Sequence, residues 1–322
     1  MVLEEVYICR HGFRLSWETS VWKSPTGIPR DPPLSSHGVD QAKELAAFLK
    51  RELGVSSAQD AKAKGIVLLS SPLYRCVQTA TPTAEALGLP IFIEPGLAEW
   101  YLPVRRGLHP ELANASFLKR YFPLVDDTPS SSSASPAAPH DPWAPLLTPP
   151  RTGESIRAVH ARCAALSSAL VSALEARGAK KVVVFSHAAT VIALSRAFAR
   201  DVPPELLRGV EAGQVEPLGE WRDEERLSVG AATCSVSKFV NARGNKEDEG
   251  EVEWTREWDG RTDFMERGEE RRWDFTFVEE IEEDGLLDGK EVSATASDNY
   301  KELPTAAPKE TVQNEAREAG KL

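Results

Sequence analysis

The chain has 322 residues, of which 41% are hydrophobic and 27% are charged, and its net charge is −11. This length suits one sizeable domain with extensions, or two small domains. No apolar run approaches the ~20 residues that a transmembrane helix requires, and acids precede the first apolar run, which argues against a secretory signal. We therefore expect an intracellular protein of the cytoplasm or the nucleus, with no membrane partner.

The negative charge belongs to the C-terminal part of the chain. Residues 241–322 contain 24 acids and 12 bases, a net charge of −12, whereas residues 1–240 contain 25 acids and 26 bases, a net charge of +1. Such an acidic segment is unsuited to direct contact with nucleic acid. The four cysteines are widely spaced and form no C-x-x-C pair, which predicts free thiols in a reducing compartment and no zinc site.

The segment VYICRHGFR, residues 6–14, predicts a buried strand that runs into a basic turn. Its β-branched and aromatic residues suit a parallel strand, whose C-terminal end is where ligands bind in open α/β sheets. Arg10, His11 and Arg14 would lie at that end. Guanidinium groups disfavour a protonated imidazole and can hold phosphoryl oxygens, which favours a neutral, nucleophilic His11. Three-residue matches are common, so an isolated Arg-His-Gly is more often an ordinary surface turn with incidental charges.

The next elements alternate between helices and strands. Ser35 or Ser36 caps a predicted amphipathic helix, and the apolar run at residues 65–71 predicts a second buried strand. The helix that follows, capped by Ser71, would hold Arg75 in its first turn. Free backbone amides and the helix dipole favour an anion there.

Two more strands complete the predicted sheet. Residues 91–93 form a third strand, followed by a turn that delivers Glu99, and residues 182–185 form a fourth strand that runs into His187. The alternation predicts an α/β fold of three layers, with a mostly parallel central sheet and a C-terminal extension. Parallel strands end at one edge of a sheet, so side chains from all four should share one pocket. These are His11, Arg75, Glu99 and His187.

Composition divides the chain into three regions. Residues 1–240 hold the predicted elements, and the Pro- and Ser-rich segment 123–150 within them is expected to be a flexible insertion. Residues 241–281 place aromatic side chains among alternating charges, and we expect them to pack on the domain or to bind a partner, the first being favoured. Residues 282–322 are expected to form a disordered acidic tail. Removing residues 250–322 should then leave the pocket chemistry intact.

Six motifs in this order resemble the histidine phosphatase superfamily, also called phosphoglycerate mutase-like. They are RHG at 10–12, PLSSHGVDQA at 33–42, SSPLYRCVQTA at 70–80, GLAEW at 96–100, GES at 153–155 and SHA at 186–188. The resemblance covers residues 5–240. It implies a phosphomonoester hydrolase that needs no metal or other cofactor. The roles it implies are the phospho-accepting nucleophile for His11, phosphate clamps for Arg10 and Arg75, the proton donor for Glu99 and a second phosphate-pocket histidine for His187.

Arg14 and the GLAEW motif are similar to one branch of this superfamily. That branch includes the suppressors of T-cell receptor signalling and the phosphatase-like subunit of fungal transcription factor IIIC (tau). Mutases carry a polar residue where this chain has Trp17, so the resemblance implies a phosphatase, with Arg14 as a further substrate-binding residue. Arg105 and Arg106 either bind a second acidic group of the substrate or belong to a solvated loop.

Two alternatives to this interpretation differ in how well they fit. A cysteine phosphatase requires C-x5-R, whereas only four residues separate Cys9 from Arg14. The other alternative stays open: the chain is a phosphatase-fold scaffold or interaction subunit of a larger assembly, such as a fungal RNA polymerase III transcription factor complex. Its C-terminal segment would then bind a protein partner. The remaining histidines are expected to be structural or solvated: His37, His109, His140 and His160.

Overall fold

The structure, a computed structural model, describes residues 2–129, 138–202, 226–242, 253–277 and 287–288. Its strands are β1 (Glu5–Arg10), β2 (Ile66–Ser70), β3 (Ile91–Ile93), β4 (Val104–Arg106), β5 (Lys181–Ser186), β6 (Val236–Asn241), β7 (Trp254–Arg261) and β8 (Leu287–Asp288). Within the described residues, six strands form one sheet in the order β3-β2-β5-β1-β6-β7, and β4 pairs with β8. Strands β1, β2, β3 and β5 pair in parallel, while β6 and β7 are antiparallel to their neighbours.

Helices cover both faces of the sheet. They are α1 (Ser36–Glu52), α2 (Ala58–Ala63), α3 (Tyr74–Leu87), α4 (Ala115–Lys119), α5 (Ile156–Ala176) and α6 (Ala188–Phe198). One apolar core lies between the sheet and α1 and α3, and a second lies between the sheet and α5 and α6. None of these helices in the described residues is long and apolar enough to cross a membrane.

Successive side chains of the central strands enter the two cores alternately. In β1, Tyr7 and Cys9 join the core under α1 and α3, while Val6 and Ile8 join the core under α5 and α6. A strand buried on both faces has to be apolar throughout, which is why these strands are continuous hydrophobic runs in the sequence. The three-layer α/β fold with a mostly parallel central sheet is confirmed.

The parallel strands end at one level, which positions the site. Arg10 pairs with Ser186 across β1 and β5, and Ser70 pairs with Phe185 and Ile93 on its two sides. The residues that follow these strand ends therefore emerge at the same edge of the sheet.

Two helix N-termini near this edge are capped in different ways. The Ser35 side chain accepts a hydrogen bond from Gly38 N and caps α1. Helix α3 begins at Tyr74, and the prediction that Ser71 caps it is wrong. Both carboxylate oxygens of Asp31 accept from Tyr74 N, at 2.9 and 3.0 Å, so a side chain from a distant loop supplies the cap.

The described parts of segment 123–150 are packed, contrary to the prediction of a flexible insertion. Trp143 belongs to the core under α5 and α6. The buried Glu94 carboxylate accepts from Trp143 Nε1 at 2.9 Å, from Leu146 N at 2.9 Å and from Leu147 N at 3.2 Å. The Trp143 ring and three hydrogen bonds to Glu94 therefore hold residues 138–150 against the domain. The Pro and Ser content of the segment does not reveal these contacts. Residues 130–137 lie outside the described part.

The C-terminal extension contributes to the sheet and to both cores. Strand β7 pairs with β6, so an aromatic and charged segment that was not predicted as a strand forms the sheet edge. Met265 enters the core under α1 and α3, whereas Trp273 and Phe275 enter the core under α5 and α6. The domain limits at residues 240 and 281 stay predictions. Most of the predicted tail at 282–322 lies outside the described residues.

Candidate active site

The four side chains predicted to share a pocket meet at the ligand edge of the sheet. One nitrogen each of His11 and His187 and one oxygen of Glu99 lie within 4.8 Å of one another. Arg75 Nη2 lies 3.1 Å from Glu99 Oε2 and 3.1 Å from His187 Nδ1. Glu99 is 5% exposed and the other three are 2% exposed or less, so these charges interact with little solvent screening.

The strand end and its turn fix the His11 ring. His11 N donates to Ser186 O at 2.9 Å, and Gly12 N donates to Thr79 Oγ1 at 3.1 Å. The ring nitrogen Nδ1 lies 2.8 Å from Gly12 O, a carbonyl that can only accept. Nδ1 therefore carries the proton, and Nε2 keeps a lone pair that can attack an electrophile.

Both site histidines are neutral at pH 7. Burial, and then the charges of Arg75, His187 and Arg10, hold the pKa of His11 well below its usual value. Burial likewise lowers the pKa of His187 to about 4, because the influence of Arg75 adds to it and the opposing influence of Glu99 does not compensate. Because Arg75 can only donate to His187 Nδ1, the proton of that ring lies on Nε2, 2.8 Å from Ser71 Oγ.

Glu99 is ionised. Burial alone would raise the pKa of its carboxyl, but His187, Arg75 and Arg14 together lower it to about 2. Glu99 Oε1 also accepts from Trp100 N at 3.1 Å. The ionised carboxylate pairs with Arg75, the same residue that the family resemblance implies as a phosphate clamp.

Asp31 is a site residue that the sequence analysis missed. Its Oδ1 lies 3.5 Å from Arg75 Nη1, and burial raises the pKa of Asp31 to about 6 although Arg75 acts against the rise. Asp31 therefore contacts Nη1 of Arg75, whereas Glu99 contacts Nη2. The only sequence signal is an acid in a Pro-rich loop just before the PLSSHG motif. That signal does not indicate that the acid caps α3, a helix that begins 43 residues later.

Trp17 lies beside the His11 ring and is surrounded by arginines. Its ring centroid is 6.0 Å from that of His11, with an angle of 29° between the planes. The guanidinium carbons of Arg14, Arg271 and Arg10 lie 4.6, 5.4 and 5.5 Å from the Trp17 ring. The surroundings of His11 thus combine one aromatic surface with several positive charges, which suits an anionic ligand.

The C-terminal extension contacts this site directly. Arg10 Nη1 donates to Ala231 O at 2.6 Å and to Arg271 O. Phe275 packs against Trp100, the neighbour of Glu99, with ring centroids 5.3 Å apart. These contacts contradict the expectation that residues 250–322 are separable from the pocket. They also give Arg10 a structural role beside its predicted one.

The other candidates differ in their surroundings. The Arg106 side chain is exposed at the end of β4, and the Arg105 side chain is outside the described part. His37 Nε2 lies 2.5 Å from Glu270 Oε2, and His109 stacks on Tyr101 with ring centroids 4.8 Å apart.

The chemistry of the pocket suits an anion better than a cation. His11, Glu99 and His187 are close enough to ligate a metal ion. However, Arg75 already places a positive charge 3.1 Å from both Glu99 and His187, and a cation would be repelled by it. Arg75 Nε is buried and has no hydrogen-bond partner among the residues that the structure describes, and an anion bound beside it would accept from this donor.

Comparison with known proteins identifies the family. A sequence model described as the histidine phosphatase superfamily (branch 1) matches residues 6–216. The chain belongs to the histidine phosphatase superfamily. A crystal structure of the ecdysone phosphate phosphatase from Bombyx mori, in complex with tungstate, shares the fold with a TM-score of 0.52 at 18% identity, covering 79% of this chain and 91% of that one.

Two curated relatives differ in what they are. The chain is 28% identical over 330 residues to the transcription factor tau 55 kDa subunit of Saccharomyces cerevisiae, and the alignment covers 97% of this chain and 68% of the relative. It is 29% identical over 127 residues to the ecdysteroid-phosphate phosphatase of Drosophila melanogaster, covering 30% of this chain and only 16% of that protein. One relative is named as an enzyme and the other as a subunit of a transcription factor.

Proposed function

We propose that this chain is a phosphomonoesterase that works without a metal ion through a phosphohistidine intermediate on His11. The observation that carries the proposal is the burial of a neutral nucleophile, an arginine and a carboxylate within one pocket. His11 Nε2 attacks phosphorus as the ester P–O bond breaks. Arg75, with Arg10 and Arg14, neutralises the phosphoryl oxygens, and His187, once protonated on Nδ1, adds a hydrogen bond and a positive charge.

Glu99 serves as the proton donor in this mechanism, and the substrate itself makes it one. A phosphoryl group that enters between Glu99 and Arg75 takes over the arginine donors and adds negative charge, and both effects raise the pKa of Glu99. The carboxyl then binds a proton and gives it to the departing alkoxide. In the second half, the carboxylate takes a proton from the water that attacks the phosphohistidine. The P–N bond breaks, releasing phosphate and neutral His11.

Hydrolysis of an aryl phosphate in the presence of a metal chelator tests this proposal. Wild type should be active, because arginines supply the positive charge that a metal ion would otherwise supply. His11→Ala should be inactive, whereas His140→Ala, a change far from the pocket, should have no effect. Activity that survives in His11→Ala, or that requires magnesium, would refute the mechanism.

A second proposal is that the chain is a subunit of a larger assembly, with or without catalysis. The specific observation in its favour is the alignment with the tau 55 kDa subunit over 97% of this chain. A protein partner bound through the acidic C-terminal segment and a location in the nucleus would follow, with no direct nucleic acid contact. Affinity purification of the tagged full chain tests it: the same partners should accompany wild type and His11→Ala. Recovery of the chain alone from both would count against an assembly role.

A further inference from the structure

One peptide group links the nucleophile to the rest of the molecule. The carbonyl of the Gly12–Phe13 peptide accepts from His11 Nδ1 at 2.8 Å, and its N–H, on Phe13, donates to Gln41 Oε1 at 2.8 Å. A peptide group is planar, so whatever holds the N–H also fixes the direction of the carbonyl. Gln41 therefore determines where the acceptor for His11 Nδ1 lies.

Glu270 determines how the Gln41 amide is oriented. Gln41 Nε2 donates to Glu270 Oε2 at 2.6 Å and to Thr233 Oγ1 at 3.1 Å. Rotating the amide by half a turn would bring oxygen against oxygen at Glu270 and nitrogen against the Phe13 N–H, so only one orientation satisfies the partners.

The Glu270 side chain is itself held in place. Its Oε2 also contacts His37 Nε2 at 2.5 Å, and its backbone carbonyl accepts from Thr233 N at 2.9 Å. The next residue, Arg271, has a left-handed backbone with φ of 54° and presents its carbonyl to Arg10. Two consecutive residues of the extension are therefore held close to His11: Glu270 by Gln41, and Arg271 by Arg10.

We propose that Glu270 is a positioning residue for His11, acting through Gln41 and the Gly12–Phe13 peptide to keep the His11 proton on Nδ1. The inference rests on the proposed function for its catalytic consequence, but the protonation of the ring can be measured without activity. When the peptide loses its anchor, it is free to rotate and turn its N–H toward the ring. His11 then adopts the other tautomer, whose Nε2 carries a proton and has no lone pair to attack phosphorus.

Nuclear magnetic resonance of the full chain with labelled histidine tests the proposal directly. The His11 ring signals are assigned by their absence from His11→Ala, and the pattern of nitrogen shifts reports which nitrogen is protonated. Wild type should show a single Nδ1–H tautomer. Glu270→Ala should show a mixture, Glu270→Gln should restore the wild-type pattern because its amide oxygen can still accept from Gln41, and Glu269→Ala should resemble wild type.

Kinetics supply a second readout. Glu270→Ala should lower kcat by about tenfold, the usual effect of losing an outer partner, with KM changed by less than about twofold, because no phosphate-binding group is altered. Gln41→Ala should give the same loss, and the double variant should be no worse than either, because both residues act along one path.

Three results would overturn the proposal: an unchanged His11 tautomer in Glu270→Ala, equal effects of Glu270→Ala and Glu269→Ala, or a shift of the His109 and His160 signals together with those of His11, which would show a general loss of structure. If wild type hydrolyses no phosphomonoester, the proposed function fails. The tautomer measurement still decides the role of Glu270 in that case.

Discussion

Glu99 and His187 lie in the same dry environment, yet one is charged and the other neutral. Burial keeps His187 neutral and Arg75 adds to that effect, whereas contacts with His187 and Arg75 outweigh burial and stabilise the Glu99 carboxylate. The resting pocket thus uses Glu99 as an internal anion in the place where a phosphoryl group would bind. In the proposed mechanism the protonation of Glu99 therefore depends on the substrate. The charge states of Glu99 and His187 lead to two predictions at the scale of single residues.

The first concerns the leaving group. Glu99→Gln removes the donated proton, so hydrolysis of an alkyl phosphate should slow by roughly 10²–10⁴-fold, the range for general acid catalysis. The phenolate of an activated aryl phosphate departs without help, so its phosphorylation step, measured as kcat/KM, should lose less than about tenfold. Rates of the two esters with wild type and Glu99→Gln give the comparison. Equal losses on both esters would exclude Glu99 as the proton donor.

The second concerns stability at low pH. The pKa of His187 is about 4 in the folded chain against an ordinary value of 6.5, so between these values the unfolded chain binds more protons. Stability from this group is therefore complete above pH 6.5 and is lost as the pH falls toward 4, and buried His11 acts in the same direction. The Tm should fall on acidification from pH 7 to pH 5 by more in wild type than in His187→Gln.

Asp31 also titrates in this pH range, with the opposite effect on stability. The Tm change of wild type therefore has to be compared with that of His187→Gln. The pKa of Asp31 is raised to about 6, so the folded chain binds its proton first and this group favours folding as the pH falls. Asp31 is present in both proteins, and its effect is common to both curves. A Tm curve with the same slope in wild type and His187→Gln would show that His187 does not titrate in this range.

At the scale of elements, the contact between α1 and the turn at residues 11–13 depends on Gly38. The backbone of Gly38 is helical, where alanine normally stabilises, but a Cβ at this position would overlap the carbonyl oxygen of Phe13. We expect Gly38→Ala to lower the free energy of unfolding by about 1–3 kcal/mol and to reduce activity. The exposed control Ala47→Gly in the same helix should cost only about 0.5–1 kcal/mol, without loss of activity. A stabilised Gly38→Ala protein would contradict the contact.

Elements with a strong local pattern were the ones that the sequence predicted correctly. The continuous apolar runs of the central strands and the chemically capable residues that follow them were sufficient to place His11, Arg75, Glu99 and His187 at one edge. The sequence does not predict strand β7, because the half-buried positions of this strand hold Arg256 as well as tryptophans. Burial alternates along the strand, but apolar and polar residues do not. The contact of Gln41 with Glu270 joins residues 229 positions apart, and no local pattern reports such a contact.

At the scale of the whole molecule, the structural unit extends beyond the family match. The match ends at residue 216, yet β7 completes the described sheet and Trp273 and Phe275 fill the core beside Glu99. Removing residues 253–322 would expose both cores, and we expect that chain to lose its cooperative unfolding transition and its activity. A chain that ends after Asp288 keeps every contact described above and should keep both. Unchanged Tm and kcat in the chain that lacks residues 253–322 would show that the extension is dispensable.

Rapid quenching of a reaction between the wild-type protein and a phosphomonoester, followed by mass spectrometry of the peptide that contains residue 11, tests the central claim most directly. The account predicts a phosphoryl group on His11 that is stable in base, labile in acid and formed as fast as product appears, with none in His11→Ala. Turnover without phosphorylated His11, or a phosphoryl group on another residue, would contradict it.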